Sequence, residues 1–362
     1  TILAALNGVA SFWLRRDAPA TAVALALHEH SADRTAQASQ RVAKAAQRHP
    51  QDARLALLHS QFLADAGQHA EARTWAERAV SLDPMDSLCL VQAAAEMRHA
   101  GEITQAIPRL RQAIELGSQS TRAYQDLALA LMQAGQSAEA LATARAGLAT
   151  APANRVSHRI VGSICLSLGQ PTEAARHLQW ALAFGEDTVV TRLLLASARL
   201  QLQQPAEAAE QLNEILRRQP DHPDALALLG SVESSQGRYP EAVAHFSAAL
   251  KLAPESPELH NNLAWLRATC PVATFRDGKE AVRLAQLACR LTHEREPQFL
   301  GTLAAAHAEA GQFAEAIAVC REAIALAEAA TNEPVAGRNR ELLQLYLEGK
   351  PYREAVNQSA AP

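Results

Sequence analysis

Apolar positions along this chain recur at helical spacing, and the helices they predict recur in a longer rhythm. Leu127, Leu195, Leu229, Leu263 and Leu303 hold one recurring apolar position, and Leu148, Leu182, Leu216 and Leu250 hold another. Such stripes mark helices with one buried face. Between them stand turn residues on a fixed lattice: Gly67, Gly101, Gly135 and Gly169 are each 34 residues apart, Gln203 takes the next slot and Gly237 the one after. Pro50, Pro84, Pro152, Pro220 and Pro254 fall on the same lattice. Glycine and proline are the strongest punctuation a helical pattern can carry, so the lattice divides the chain into repeated helix pairs.

Nine units follow, beginning at residues 19, 53, 87, 121, 155, 189, 223, 257 and 297, the last ending near 330, and the unit from 257 carries six extra residues. Each reads as a helix of about 14 residues, a turn with Gly, Gln, Asp or Pro, a second helix of similar length and a Pro-containing turn. One column is alanine throughout: Ala38, Ala72, Ala106, Ala140, Ala174, Ala208, Ala242, Ala281 and Ala316. A second holds only Ala, Gly or Ser, at Ala26, Ser60, Ala94, Ala128, Gly162, Ala196, Gly230, Ala264 and Ala304. Only small side chains let two backbones approach closely, so these columns are expected where the helices of a unit cross. A third small column, Ala45, Ala79, Ala113, Gly147, Ala181, Ala249, Ala288 and Ala323, is broken by Ile215 and is expected to meet the first helix of the following unit. No unit buries its stripe alone, so neighbours must stack.

The order of these marks, with Glu-Ala after the glycine turn in Glu71-Ala72, Glu139-Ala140, Glu173-Ala174, Glu207-Ala208, Glu241-Ala242 and Glu315-Ala316, resembles the tetratricopeptide repeat. The resemblance covers residues 19 to 330, about six sevenths of the chain, and implies an all-α, right-handed α-α superhelix of about nine helix pairs plus terminal capping helices. Ser118 and Glu186 depart from it by replacing the Pro of the turn between units, and most aromatic positions of the family pattern are Ala, Leu or polar. The stretch from 261 to 289 is similar to the lengthened penultimate repeat of many bacterial repeat proteins, including soluble tails of large envelope proteins. The segment from 341 to 354 is similar to the closing segment of the same group. It reads as a cap in which Leu342, Leu343, Leu345, Tyr346 and Leu347 cover the last repeat, Gly349 stops the helix and Pro351 prevents its continuation.

Composition narrows the chemistry. Aromatics are 4% of the chain and net charge is −4, without a long Lys/Arg run, so the electrostatic footprint of a nucleic-acid binder is missing. Cys89, Cys165, Cys270, Cys289 and Cys320 are scattered and form no CxxC pair, which signals neither a zinc site nor a disulfide framework. Cys270 and Cys289 flank the lengthened turn and read as separate cysteines in preference to a pair. His28 and His30 lie two apart, about 200° round a helix, and Ala32 stands where a metalloprotease pattern needs its second His. No phosphate loop, dinucleotide fingerprint or nucleophile elbow is found, so the chain reads as no enzyme and needs no cofactor or metal. Asn357-Gln358-Ser359 matches a glycosylation acceptor, a pattern common by chance.

The resemblance further implies a concave groove, lined by the first helices, that receives a protein or peptide. Its inward positions from 53 to 188 include Arg54, Asp65, Arg98, His99, Arg122, Gln125 and Arg159; from 189 onward they include Ser197, Gln201, Asp224, Ser231, Ser235, Glu258, Asn261 and Glu309. Four arginines against one aspartate become three acids and no base. Arg98, Arg122 and Arg159 are expected to receive acidic side chains or a C-terminal carboxylate, which guanidinium forks match. The competing reading is a solvated face. Trp265 reads equally as a contact or as core filling.

Residues 1 to 18 read either as a capping helix or as the remnant of an anchor or signal segment. Residues 331 to 362 read as a capping helix and flexible tail. The leading function is a scaffold or adaptor that binds a protein or peptide and supports complex assembly. The alternative is an accessory domain of a larger bacterial membrane or envelope protein, for instance a glycosyltransferase, whose catalytic part precedes Thr1. Compartment stays open between cytoplasm and periplasm, with an N-terminal membrane tether under the second reading.

Overall fold

The computed structural model describes residues 18–31, 34–117, 120–293 and 295–355; readings placed on 1–17, on Ser118 and on 357–359 lie outside them. Among the described residues there are 19 α-helices, one 3-10 turn and no strand. The chain divides into two units with the boundary between Asp187 and Thr188.

Unit 1 is a run of five helix hairpins: α1 (Pro19–Ser31) with α2 (Thr35–Arg48), α3 (Ala53–Asp65) with α4 (His69–Leu82), α5 (Ser87–His99) with α6 (Ile103–Glu115), α7 (Thr121–Gln133) with α8 (Ser137–Thr150), and α9 (Arg155–Ser167) with α10 (Pro171–Ala183). Unit 2 has four: α11 (Val189–Gln201) with α12 (Pro205–Arg218), α13 (Pro223–Ser235) with α14 (Tyr239–Leu252), α15 (Pro257–Thr269) with α16 (Gly278–Leu291), and α17 (Pro297–Glu309) with α18 (Phe313–Ala329). The last helix, α19 (Glu333–Leu347), closes unit 2.

Local chemistry fixes both kinds of turn. At the turn inside the second hairpin Gly67 takes φ +75°, and the Gln68 N–H returns to the Leu63 carbonyl at 2.8 Å. This left-handed helix stop is one that glycine adopts without strain. Gln203 holds the same slot at φ +58°. Between hairpins, the residue before several first helices caps them: Asp52 accepts from the Arg54 and Leu55 amides, Asp86 from Leu88 and Asn154 from Ser157.

The alanine column lies at the crossings: Ala38, Ala72, Ala106, Ala140, Ala174, Ala208, Ala242, Ala281 and Ala316 are all fully buried. The second column meets it from the first helix. Ser60 Oγ donates to the Ala72 carbonyl at 2.7 Å, and a Cβ on Gly162 would stand 3.2 Å from the Ala174 carbonyl and 2.6 Å from Leu178 Cγ. The third column requires a correction. A Cβ on Gly147 would reach Tyr124 Cβ of its own hairpin at 2.5 Å, and Ala79 shares a cluster with Ala56 of its own hairpin as well as Cys89 of the next. A second helix is therefore wedged between two first helices, and a small residue there serves both contacts.

In unit 1 the first helices of successive hairpins approach one another, and in unit 2 α13, α15 and α17 do, whereas second helices make no comparable backbone contact. In unit 1 the second helices reach across by ion pairs instead: Arg111 to Glu139 at 2.6 Å and Arg145 to Glu173 at 2.7 Å. This explains the Glu in the Glu-Ala pairs at 139 and 173: it meets an arginine 28 residues earlier, on the preceding second helix. Such half-exposed pairs each contribute about 0–1 kcal/mol. Their geometric meaning is larger: the first helices form the inner side of each run.

In unit 2 the extra residues of the lengthened hairpin carry the 3-10 turn Ala273–Phe275. Arg276 braces that turn, donating to the Cys270 and Pro271 carbonyls and pairing with Glu309 at 3.0 Å. Helix α19 buries Leu342 and Tyr346 against Ala304, Ala308, Ala316 and Cys320. Leu347, expected in that cap, is 52% exposed, because it lies about 100° round α19 from Tyr346 and about 140° from Leu342, off the buried face. Gly349 ends the run at φ +68°. Residues 352–354, the end of the closing segment, are pinned: the Glu354 amide donates to the Thr269 carbonyl at 2.9 Å and Arg353 pairs with Glu309. No helix among the described residues is long and apolar enough to cross a membrane.

Candidate functional site

The inner side of unit 1 carries a chain of polar side chains rather than apolar ones. Glu96 and Gln92, one turn apart on α5, are buried, and Gln92 Nε2 donates to Glu96 at 3.0 Å. From α4, His69 Nδ1 lies 3.0 Å from Glu96. From α7, Arg122 donates to Gln92 Oε1 at 3.0 Å. Asp126, one turn along α7 and only 7% exposed, stands 3.5 Å from both Arg122 and Arg98. Three successive hairpins are thus laced by one network from His69 to Arg98.

Burial pushes the Asp126 carboxyl above the usual range, with Arg122 and Arg98 opposing that shift. Its Oδ2 and the Arg98 Nε lack a hydrogen bond among the described residues. Arg122 keeps 49% of its side chain exposed beside this under-satisfied carboxylate. His99 stacks on His69 with ring centroids 4.6 Å apart, and burial, then the Arg98 charge, lowers its pKa.

A second cluster lies further along unit 1. Glu186, the residue in the slot of the missing proline, receives Arg159 at 3.3 Å and Arg155 at 3.2 Å. Gln125 links the two stretches, donating to Asn154 at 3.1 Å and Ser157 at 2.9 Å.

The structure therefore brings Arg98, His99 and Arg122 together, places Gln125 beside them and puts Arg159 in a neighbouring cluster. Arg54 is exposed at the start of α3 and stands apart from both clusters. Asn261 and Trp265 belong to unit 2, where both line a cavity; Trp265 is half-buried and packs against the core beneath it. Sequence reasoning missed Asp126 and Glu186, so the arginines it took as open are already paired. A signal existed for one: Asp126 follows Arg122 by four residues on the same helix, the spacing at which side chains meet.

The cysteine thiols are unsuited to nucleophilic work at neutral pH. Burial pushes Cys89 up to about 12, Cys165 up to about 11 and Cys320 up to about 12. Cys270 and Cys289 are buried and not joined to each other.

Two profile models of the tetratricopeptide repeat match the chain, one over residues 97–162 and one over 193–257. No curated protein sequence matches it. Among solved structures it is similar to the APC/C hetero-tetramer Cut9-Hcn1, at 19% identity and a TM-score of 0.59 over 66% of this chain. That match spans 47% of the other chain, less than half its length. A tetratricopeptide repeat protein from Parabacteroides merdae aligns at 14% identity over 70% of this chain and 98% of its own, with a TM-score of 0.54. PilW, a type IV pilus biogenesis factor, aligns at 15% identity over 57% and 96%, with a TM-score of 0.52. Identities this low speak for the fold alone. With the 34-residue rhythm, the stacked hairpins and the two matched stretches in agreement, the chain is a tetratricopeptide-repeat protein.

Proposed function

We propose that this protein is a non-catalytic scaffold that holds an anionic protein or peptide partner on the inner, first-helix side of unit 1. The fold itself suggests a protein-interaction scaffold. What supports the finer reading is the network around Asp126. Two arginines share one buried carboxylate, and polar atoms there still lack partners. Of the unpartnered atoms, the Arg98 Nε–H is a donor that an incoming carboxylate can complete, whereas the Asp126 Oδ2 is an acceptor that needs a donor instead.

In this reading Arg122 offers its exposed edge to an incoming carboxylate while Asp126 and Gln92 fix its orientation. Arg159, steered by Glu186, provides a second contact along the same side. Pre-paired arginines are held in place before binding, so less side-chain entropy is lost on contact. Such a partner binds in a salt-sensitive way.

The test is titration calorimetry with an octapeptide alternating glutamate and alanine. Replacing Arg122→Glu and Arg159→Glu together is expected to weaken binding at this side by about tenfold or more, since a hydrogen bond to a charged group contributes about 1.5–3 kcal/mol. The neutral pair Arg122→Gln and Arg159→Gln, checked by circular dichroism for an intact fold, gives the same direction. Unchanged affinity in both pairs refutes the reading.

A further inference from the structure

Unit 2 holds a half-open cavity of about 610 Å³ lined by its first helices α13, α15 and α17, by the closing helix α19 and by Glu354. Its volume lies within the range of ligand sites, roughly 300–1,000 Å³. More telling is the state of its polar lining. Asn339 is 3% exposed, and its Nδ2 donates to the Val335 carbonyl at 3.0 Å, yet its Oδ1 has no partner among the described residues. The buried Oδ1 of Asn261, on the wall formed by α15, also has none. Room for the Asn339 oxygen depends on Gly301: a Cβ there would stand 2.5 Å from it. Both asparagines line the cavity, and two buried acceptors without partners call for donors that a small side-chain shift would bring to them.

The cation in this lining is Arg338, whose guanidinium carbon lies 4.5 Å from the ring centre of Trp265. Stacking holds the fork flat and leaves its N–H edge free. Arg338 is exposed, and no carboxylate among the described residues pairs with it. The Trp265 indole N–H donates to Glu354 at 2.6 Å, which fixes the ring that Arg338 lies on.

We propose that this cavity is a second binding site, and that its ligand is an extended peptide carrying a carboxylate side chain. Backbone N–H groups of the peptide donate to Asn261 and Asn339, and its carboxylate takes the free edge of Arg338. Neither half suffices alone: a simple anion leaves the asparagine oxygens unsatisfied, and a neutral peptide leaves Arg338 unpaired. The site lies wholly within unit 2 and does not depend on the inner side of unit 1.

The experiment uses the full chain labelled with 5-fluorotryptophan, with the Trp265 resonance assigned from a Trp265→Phe sample. Titration with acetyl-(Ala-Glu)3-amide is expected to shift that resonance saturably. The glutamine counterpart, acetyl-(Ala-Gln)3-amide, is expected to bind about tenfold more weakly through the loss of one charge-assisted contact, and free glutamate about tenfold more weakly because it lacks the peptide N–H groups that donate to Asn261 and Asn339. Arg338→Gln brings the acidic peptide down to the level of the glutamine peptide. Asn339→Leu also weakens binding while holding or raising the melting temperature, because it removes a buried acceptor that is unsatisfied without ligand. The unit 1 pair Arg122→Gln and Arg159→Gln leaves the Trp265 titration unchanged, so failure at one site is distinguishable from failure at the other. An unmoved Trp265 resonance, equal affinity in Arg338→Gln, or free glutamate binding as tightly as the peptide overturns the proposal.

Discussion

Acidification from pH 7 to pH 4 is expected to weaken the last hairpin of unit 1 by about 3 kcal/mol through His177 alone. Burial, then the neighbouring His158 and Arg176, depresses the His177 pKa to about 4, with Glu173 opposing. In the unfolded chain the same imidazole titrates near 6.5. Between those values the unfolded state binds the proton and the folded state does not. Folding is therefore progressively disfavoured as pH falls through 6.5 toward 4, and the penalty is absent above about 6.5.

Burial, not hydrogen bonding, favours the neutral form, since His177 is only 6% exposed and its Nδ1–H donor is present in either state. His158 Nε2 lies 2.9 Å from the Pro152 carbonyl, which can only accept, so this nitrogen carries a hydrogen. His158 Nδ1 then accepts from His177 Nδ1–H at 2.9 Å. Around this pair pack Trp180 and Phe184, whose rings lie 5.1 and 5.5 Å from His158. Hydrogen-exchange free energies of α9 and α10 amides, corrected for intrinsic rates, measure the effect. His177→Asn keeps a donor near the Nδ1 position and removes the titration, so its loss between pH 7 and pH 4 should be smaller by about 3 kcal/mol than in the unaltered chain. Parallel losses would show that His177 is not the group responsible.

The second large effect comes from packing. Ala140 and Ala138 lie two residues apart on α8, the first fully buried at the hairpin crossing and the second exposed. Ala140→Leu inserts three heavy atoms where the backbones approach and is expected to cost about 1–3 kcal/mol. Ala138→Leu adds the same atoms in solvent and is expected to fall within about 0.5 kcal/mol of the original. Because a repeat array need not unfold in one step, the loss belongs first to the hairpins beside α8. Thermal melts of the two variants make the comparison; equal melting points would mean that the alanine column does not mark the crossing.

That column was legible from sequence because close backbone contact tolerates few residue types, and repetition at a fixed interval reveals the constraint. The turns were legible for the same reason: a left-handed helix stop favours glycine, and Gln203 could be placed by position alone. Pairings that depend on side-chain reach were harder to read. Asp126 and Glu186 change the meaning of the arginine stretch, yet Asp126 stands in no column with a recurring residue type and Glu186 is an exception in the proline column, so its pairing could not be read from the repeat. Leu347 was misplaced because the cap lies outside the repeat lattice and its facing had to be guessed from apolar character alone.

The unit 2 cavity was beyond sequence reading for a related reason. Trp265 meets Glu354 across 89 residues, and Arg338 and Asn339 lie on a helix outside the repeating columns. Asn261 and Trp265 were singled out by position, but nothing in the pattern places Arg338 on the indole. What the fold adds is a closing helix that turns one end of a run of hairpins into a half-open cavity.

Photo-crosslinking decides most directly whether the inner side of unit 1 is where a partner is held. A benzophenone side chain replaces Gln125 on the first helix α7 in one sample and Arg111 on the second helix α6 in another. Each is irradiated with the glutamate-alanine octapeptide, and the adducts are mapped by mass spectrometry. Adducts from position 125, lost in Arg122→Gln with Arg159→Gln, are the expected result. Adducts from position 111 with none from 125 would contradict it.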